Sequence, residues 1–275
     1  MDILEIERMI ITRFRPKLYA PFIRALQEFD MIKAGDKVGV CISGGKDSLL
    51  LAKLFQELHR HSDFPFSLEF IVMDPGFNKE NLENLKHNLE YLQIPAHILQ
   101  SDVFSVARKM GGQKPCYLCA RMRRGFLYQA AKDLGCNKIA LGHHFDDVVE
   151  TIMINMLYGA QYNTMMPKLK STNFSGMELI RPLYFIKEKD IIAWMKASEF
   201  TSMNCGCSVA SGEISGKRKE IKELIKELKL KFSDVDMNIF RSAENVNLNC
   251  CISWKKGTEK FNFLTEYENG NVLDE

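Results

Sequence analysis

No run of this 275-residue chain is apolar for long enough to cross a bilayer. The longest apolar-rich stretches, Val38 to Ile42 and Leu49 to Phe55, fall far short of the roughly 20 residues a spanning helix needs, so no membrane partner is expected. The start, Met1-Asp2-Ile3-Leu4-Glu5, carries acidic residues and lacks the basic opening, apolar middle and small-residue cleavage site of a secretion signal, which points to a cytoplasmic protein. Internal repeats, low-complexity tracts and long flexible linkers are also missing, as is the GxxxxGKS/T string of a Walker A loop. The net charge of +2 is too small to announce a polyanion binder by itself.

What is present is the composition of a soluble globular protein, 46% apolar and 26% charged, large enough for one sizeable domain or two small ones. Its positive residues are clustered, at Arg13 to Lys17, Arg121 to Arg124 and along Lys217 to Lys231. The last run alternates Lys and Glu and reads first as a solvated helix face laced with i,i+4 pairs. Eight cysteines in a chain expected to meet a reducing cytosol argue against disulfides. The pairs Cys116-Tyr-Leu-Cys119 and Cys205-Gly-Cys207 therefore point to metal or sulfur chemistry, while Cys41, inside an apolar run, and Cys136 read as small buried hydrophobes.

Short β-rich strands are expected at Lys37–Ile42, Leu68–Met73, Ala96–Leu99 and Lys138–Leu141, separated by helices at Asp47–Arg60, Glu80–Leu92, Tyr117–Leu134 and Asp146–Tyr158. That alternation predicts an α/β fold, a parallel sheet with helices on both faces. The first thirty residues read as an amphipathic helix interrupted by Pro16 and Pro21, and helices dominate after Pro182, at Lys187–Ala197, Lys217–Leu230 and Asp236–Asn245. The expected organisation is an N-terminal helical segment (1–30), an ATP-binding α/β domain (31–200) carrying the CxxC, and a helical extension (201–275) carrying a further cysteine.

The string Ser43-Gly44-Gly45-Lys46-Asp47-Ser48 falls where the first strand hands over to a helix. Two glycines let the backbone turn tightly and approach a phosphate, the helix start presents unpaired N–H groups and its positive dipole end, and Ser43 and Ser48 add hydroxyls. This string resembles that of the PP-loop ATP pyrophosphatases, which adenylate a carbonyl oxygen and release pyrophosphate. The resemblance implies a nucleotide site over the carboxyl ends of the strands, in keeping with the crevice rule for open α/β sheets. Asp74, ending the second strand, and Gly142-His143-His144-Phe145-Asp146-Asp147, following the fourth, are expected to face that crevice. The paired carboxylates Asp146 and Asp147 can bind Mg²⁺ or position a proton acceptor, and Asp146 can also act as a plain helix cap.

Across roughly residues 25 to 250 the chain is similar to the tRNA 2-thiocytidine synthetases, through SGGKDS, Cys116-Tyr-Leu-Cys119-Ala-Arg-Met-Arg-Arg, Leu141-Gly-His-His144, Ile180-Arg-Pro182, Cys205 and Arg241-Ser-Ala-Glu-Asn-Val246. The resemblance implies a 4Fe-4S cluster held by Cys116, Cys119 and Cys205, whose open iron carries the sulfur that attacks C2 of an ATP-activated tRNA pyrimidine, with cytidine 32 as the target. It also implies a sulfide or persulfide donor such as a cysteine desulfurase, and dimerisation is common in similar proteins, which leaves a homodimer open. Arg123 and Arg124, one turn after Cys119, are placed to stabilise phosphate or a developing oxyanion. Phe145 stands where the family usually has arginine, removing a positive charge near the nucleotide or substrate, and the second cysteine pair is CxC where CxxC is common. Three alternatives stay open: persulfide chemistry on Cys116 or Cys119 resolved by Cys205, a closed zinc site of Cys116, Cys119, Cys205 and Cys207 in a nucleic-acid-binding module, and a free base or small metabolite as substrate.

Overall fold

The computed structural model describes residues 1–103, 106, 115–203 and 213–268, with backbone placement alone for 115–120, 213–215 and 266. Strands β1 (Lys37–Ile42), β2 (Ser67–Asp74), β3 (Ala96–Gln100) and β4 (Lys138–Ala140) lie where the pattern places them. Two three-residue strands join them, β5 (Lys168–Lys170) and β6 (Glu178–Ile180). The order is β3-β2-β1-β4-β6-β5, parallel throughout except for β5. The expected parallel sheet is thus present, extended by one antiparallel edge strand bearing Lys168 and Lys170, charges that discourage further pairing.

Five of the six β1 positions are buried, as suits a central strand covered on both faces. One face is packed by α3 (Lys46–His61), the N-terminal helices and α7 (Glu188–Ala197), with Val38, Val40, Leu50, Leu54, Phe55 and Trp194 in its core. The other face is covered by α5 (Pro115–Asp133), against which Cys41, Ile71, Ala131, Cys136 and Ile139 pack. Helix α4 (Lys79–Tyr91) links β2 to β3. Burial pushes the Cys41 thiol up to about 12 and the Cys136 thiol up to about 11, so both are inert, apolar side chains as expected.

Helices α1 (Ile3–Ile11) and α2 (Ala20–Glu28) flank a π-helical turn at Arg15–Tyr19. Pro16 and Pro21 sit in the first turns of these elements, where a missing N–H costs nothing, and the chain breaks ahead of them at Thr12 to Phe14. Ile6, Ile10, Leu18 and Phe22 belong to the same core as the sheet, and Lys53 on α3 is fully enclosed against Glu7 and the carbonyl of Leu92. Beyond α7, α8 (Glu213–Lys231) and α9 (Val235–Ser242) pack on α6 (Phe145–Gly159), and β7 (Ser253–Lys256) pairs with β8 (Glu259–Asn262) ahead of a short α10 (Phe263–Glu268).

The chain runs β1 to β2 to β3 in one direction and then returns to place β4 on the other side of β1. The crevice between the carboxyl ends of β1 and β4 is the topological switch point, where open α/β sheets bind ligands.

Candidate active site

SGGKDS follows β1 and GHHFDD follows β4, so the two motifs face each other across that switch point. Gly44 has a φ of +83°, a left-handed conformation that favours glycine, and a Cβ there would meet Met203 Sδ at 2.6 Å. Ser48 braces the turn: its Oγ donates to the Gly45 carbonyl at 2.9 Å and accepts from the Ser43 amide at 3.1 Å. A Cβ on Gly142 would meet the Ser48 amide nitrogen at 3.1 Å and the Asp47 carbonyl carbon at 3.2 Å. Glycine at 142 is what lets the β4 turn touch the phosphate loop.

His144, and not Asp146, caps α6. Its Nδ1 accepts from the Asp147 amide at 3.4 Å while Asp147 Oδ2 accepts from the His144 amide at 3.0 Å, a reciprocal capping box. Asp146 serves a different helix, its Oδ2 accepting from the Glu188 amide at 2.7 Å at the start of α7. Asp47 places Oδ1 in the crevice, buried and without a hydrogen-bond partner, 3.8 Å from His144 Nε2. Burial raises the Asp47 carboxyl above its usual range in spite of His144 and Lys46. Burial would raise Asp147 too, but the His144 and His143 rings, the His144 amide and Arg218 outweigh it and hold that carboxyl down. His143 is held down to about 4, by burial first and then by the Arg181 charge, so it is a neutral imidazole at physiological pH, with Nδ1 buried and unpartnered.

A second layer steadies these groups. Lys46 Nζ lies 3.2 Å from Asp47 Oδ2 and 3.0 Å from Glu188 Oε1, and Glu188 Oε2 accepts from Lys222 of α8 at 2.5 Å. Burial opposes ionisation of Glu188, yet the hydrogen bonds from Lys222 and Lys46 prevail and bring its carboxyl down to about 2. Arg218 of α8 reaches Asp147 Oδ1 at 3.1 Å and Glu150 Oε2 at 3.4 Å. Burial pushes Glu150 up to about 7 against the pull of Arg218. A cavity of about 250 Å³ opens behind this layer, between Asp146, Glu188, Lys222, Lys229 and Asp236.

The PP-loop domain family matches residues 18–204. The chain is 36% identical over 245 residues to the tRNA-cytidine(32) 2-sulfurtransferase of Neisseria meningitidis, covering 87% of this chain and 74% of that one. It is equally 36% identical to the enzyme of that name from Alcanivorax borkumensis, over 87% and 84% of the two chains. This chain belongs to the PP-loop family, in the branch of the tRNA-cytidine(32) 2-sulfurtransferases. Its fold is also that of the U34-tRNA thiolase NcsA from Methanococcus maripaludis, solved with its [4Fe-4S] cluster, at a TM-score of 0.66 and 22% identity over 87% of this chain and 84% of that one.

Against that family frame, the residues singled out in the sequence fall in different places. Ser43 to Ser48, Gly142, His143 and Asp147 converge on the crevice. Asp74 ends β2 with Oδ1 accepting from the Gly76 and Phe77 amides at 2.9 and 2.8 Å, so it shapes the turn after that strand. Cys116 and Cys119 lie at the first turn of α5, and Cys205 and Cys207 lie outside the described residues. Among the described residues no three His, Cys, Asp or Glu side chains form a metal site. Of Arg123 and Arg124, it is Arg124 whose charge acts on Tyr128 and Arg181. Phe145 is buried and stacked on Phe240 with ring centroids 4.9 Å apart, so its ring points into the core. The Lys217 to Lys231 run is likewise more than a solvated face, since Arg218, Lys222 and Lys229 reach inward to Asp147, Glu188 and Asp236. Arg218, Lys222 and Glu188 carry no sequence signal of their own: each looks like one more charge on an amphipathic helix.

Proposed function

We propose that the protein is an ATP-dependent sulfurtransferase that adenylates the C2 carbonyl of cytidine 32 in tRNA and replaces that oxygen with sulfur. The observation that supports this reading most is the contact of the SGGKDS loop with the Gly142 turn at the switch point, in a chain that is 36% identical over 245 residues to an enzyme named for this reaction.

The loop amides and Lys46 hold the triphosphate, with Lys46 exchanging its Glu188 partner for phosphate oxygen. Mg²⁺ needs one or two carboxylate oxygens beside the phosphates. Asp47 supplies a buried Oδ1 with no other partner, and its environment suits a cation. In the first step the base oxygen O2 bonds to the α-phosphorus as the α–β anhydride breaks and pyrophosphate leaves. Sulfide then adds at C2, the C2–O bond breaks, and AMP departs with the oxygen.

Cys116 and Cys119 are three residues apart near the start of α5, and together with Cys205 they are the residue type that iron–sulfur clusters take as ligands. Cys116, Cys119 and Cys205 would hold a 4Fe-4S cluster, which would supply the sulfur for this exchange and be replenished by a sulfide or persulfide donor such as a cysteine desulfurase. No helix among the described residues is long and apolar enough to cross a membrane, and we place the reaction in the cytoplasm.

The test is anaerobic thiolation of tRNA with ATP and sulfide, reading 2-thiocytidine in the digested product by mass spectrometry. Wild type should make it, while Asp47→Ala and Cys205→Ala should not. Product formed without ATP, or by the Asp47 variant, would sink the assignment.

A further inference from the structure

Arg181 directly follows β6 at the carboxyl end of the sheet, where the Leu141 amide of the neighbouring β4 end donates to the Ile180 carbonyl. It is more than nine-tenths buried, at 8% exposure. Its Nη1 donates to the Met166 carbonyl, its Nε is buried with no partner, and among the described residues no carboxylate lies within ion-pairing distance. The charges and hydroxyls that act on it are those of Tyr184 and Tyr128, the like charge of Arg124 from α5, and Asp147. The His143 ring, with its own buried and unpartnered Nδ1, lies within the same field.

Enclosing a guanidinium without an anion is costly, and a second arginine beside it adds to the cost. Anchoring the 160–167 loop through the Met166 carbonyl does not account for that cost, since a neutral donor would hold a carbonyl as well. What two arginines at a strand end match is an anion with several oxygens, which a planar guanidinium meets in a bidentate fashion. β6 is two strands from β1, so this point is roughly 10 Å along the crevice from the SGGKDS loop at about 4.8 Å per strand.

We propose that Arg181 and Arg124 form a second phosphate subsite, separate from the SGGKDS loop, that fixes the substrates across the switch point. The assignment rests on the reading that ATP and tRNA both enter this crevice. The phosphate belongs either to the nucleotide or to the tRNA backbone beside the target base.

The experiment compares wild type with Arg181→Lys, Arg124→Gln and Lys46→Gln, measuring Kd for a non-hydrolysable ATP analogue and for unmodified tRNA across a salt series. Arg124 is exposed, so its variant decides the matter if the Arg181 variant does not fold. A backbone phosphate predicts about tenfold weaker tRNA binding in both arginine variants, with a salt slope shallower by about one in Arg124→Gln and unchanged in Arg181→Lys, which keeps its charge, and with ATP-analogue affinity unchanged. A nucleotide phosphate predicts the reverse: about tenfold weaker analogue binding and an unchanged tRNA slope. If neither affinity moves while Lys46→Gln still weakens the analogue, the second subsite is refuted and the functional reading stands. If Lys46→Gln also leaves the analogue affinity intact, the nucleotide reading itself falls, and this subsite with it.

Discussion

Replacing Glu188 with glutamine removes the carboxylate that holds Lys46 of the phosphate loop and Lys222 of α8 together. The Glu188 carboxyl is drawn from an ordinary 4.5 to about 2 in the folded protein. At roughly 1.4 kcal/mol per pH unit that lowering amounts to about 3 kcal/mol, and with the side chain only 18% exposed solvent screening trims it to about 2–3 kcal/mol. Because the folded value lies below the unfolded one, the contribution is fully present above pH 4.5 and is lost as pH falls toward 2. Urea unfolding of wild type and Glu188→Gln should therefore differ by about 2–3 kcal/mol at pH 7. The gap should narrow by up to about 1.4 kcal/mol between pH 4.5 and 3.5, the limiting slope for one proton. Two parallel stability profiles, or no gap at pH 7, would refute the claim that Glu188 is the charged link between loop and helix.

Gly142→Ala puts a methyl within 3.1–3.3 Å of backbone atoms of Asp47 and Ser48, which cannot swing aside, so we expect a loss of about 1–3 kcal/mol and weaker ATP-analogue binding, measured by denaturation and titration. Gly76→Ala, strained in φ but facing open space, is the control for a purely conformational cost. Glu7→Gln takes away the carboxylate that pairs with the fully enclosed Lys53 and should cost about 3 kcal/mol of unfolding free energy without altering nucleotide affinity. Iron and acid-labile sulfide in anaerobically purified protein should fall in Cys205→Ala and persist in Cys207→Ala, and the opposite result would reassign the third ligand.

The first four strands and the facing of the two motifs were legible because β1 to β4 are apolar runs bounded by turn residues, and the spacing of SGGKDS and GHHFDD follows from strand-to-helix handovers. β5 and β6 were not, since Lys168–Lys170 and Glu178–Ile180 are three residues each and carry charges, too short for any periodicity. The cap on α6 was misassigned because aspartate is the commoner capping residue and a histidine ring gives no sequence signal for that role. Arg181 was seen as part of a motif string, but its lack of an anionic partner is a fact of three dimensions. Arg218 and Lys222 became site residues only once α8 was seen to lie across α6.

The double bridge at Glu188 ties the opening of α8 to the ordering of the phosphate loop. Amide exchange in these two regions, nearly 180 residues apart in the chain, should then rise and fall as one cooperative unit. Nucleotide that draws Lys46 away would leave Lys222 and Glu188 to re-pair, so slowed or quickened exchange along α8 becomes a remote report on whether the loop is filled.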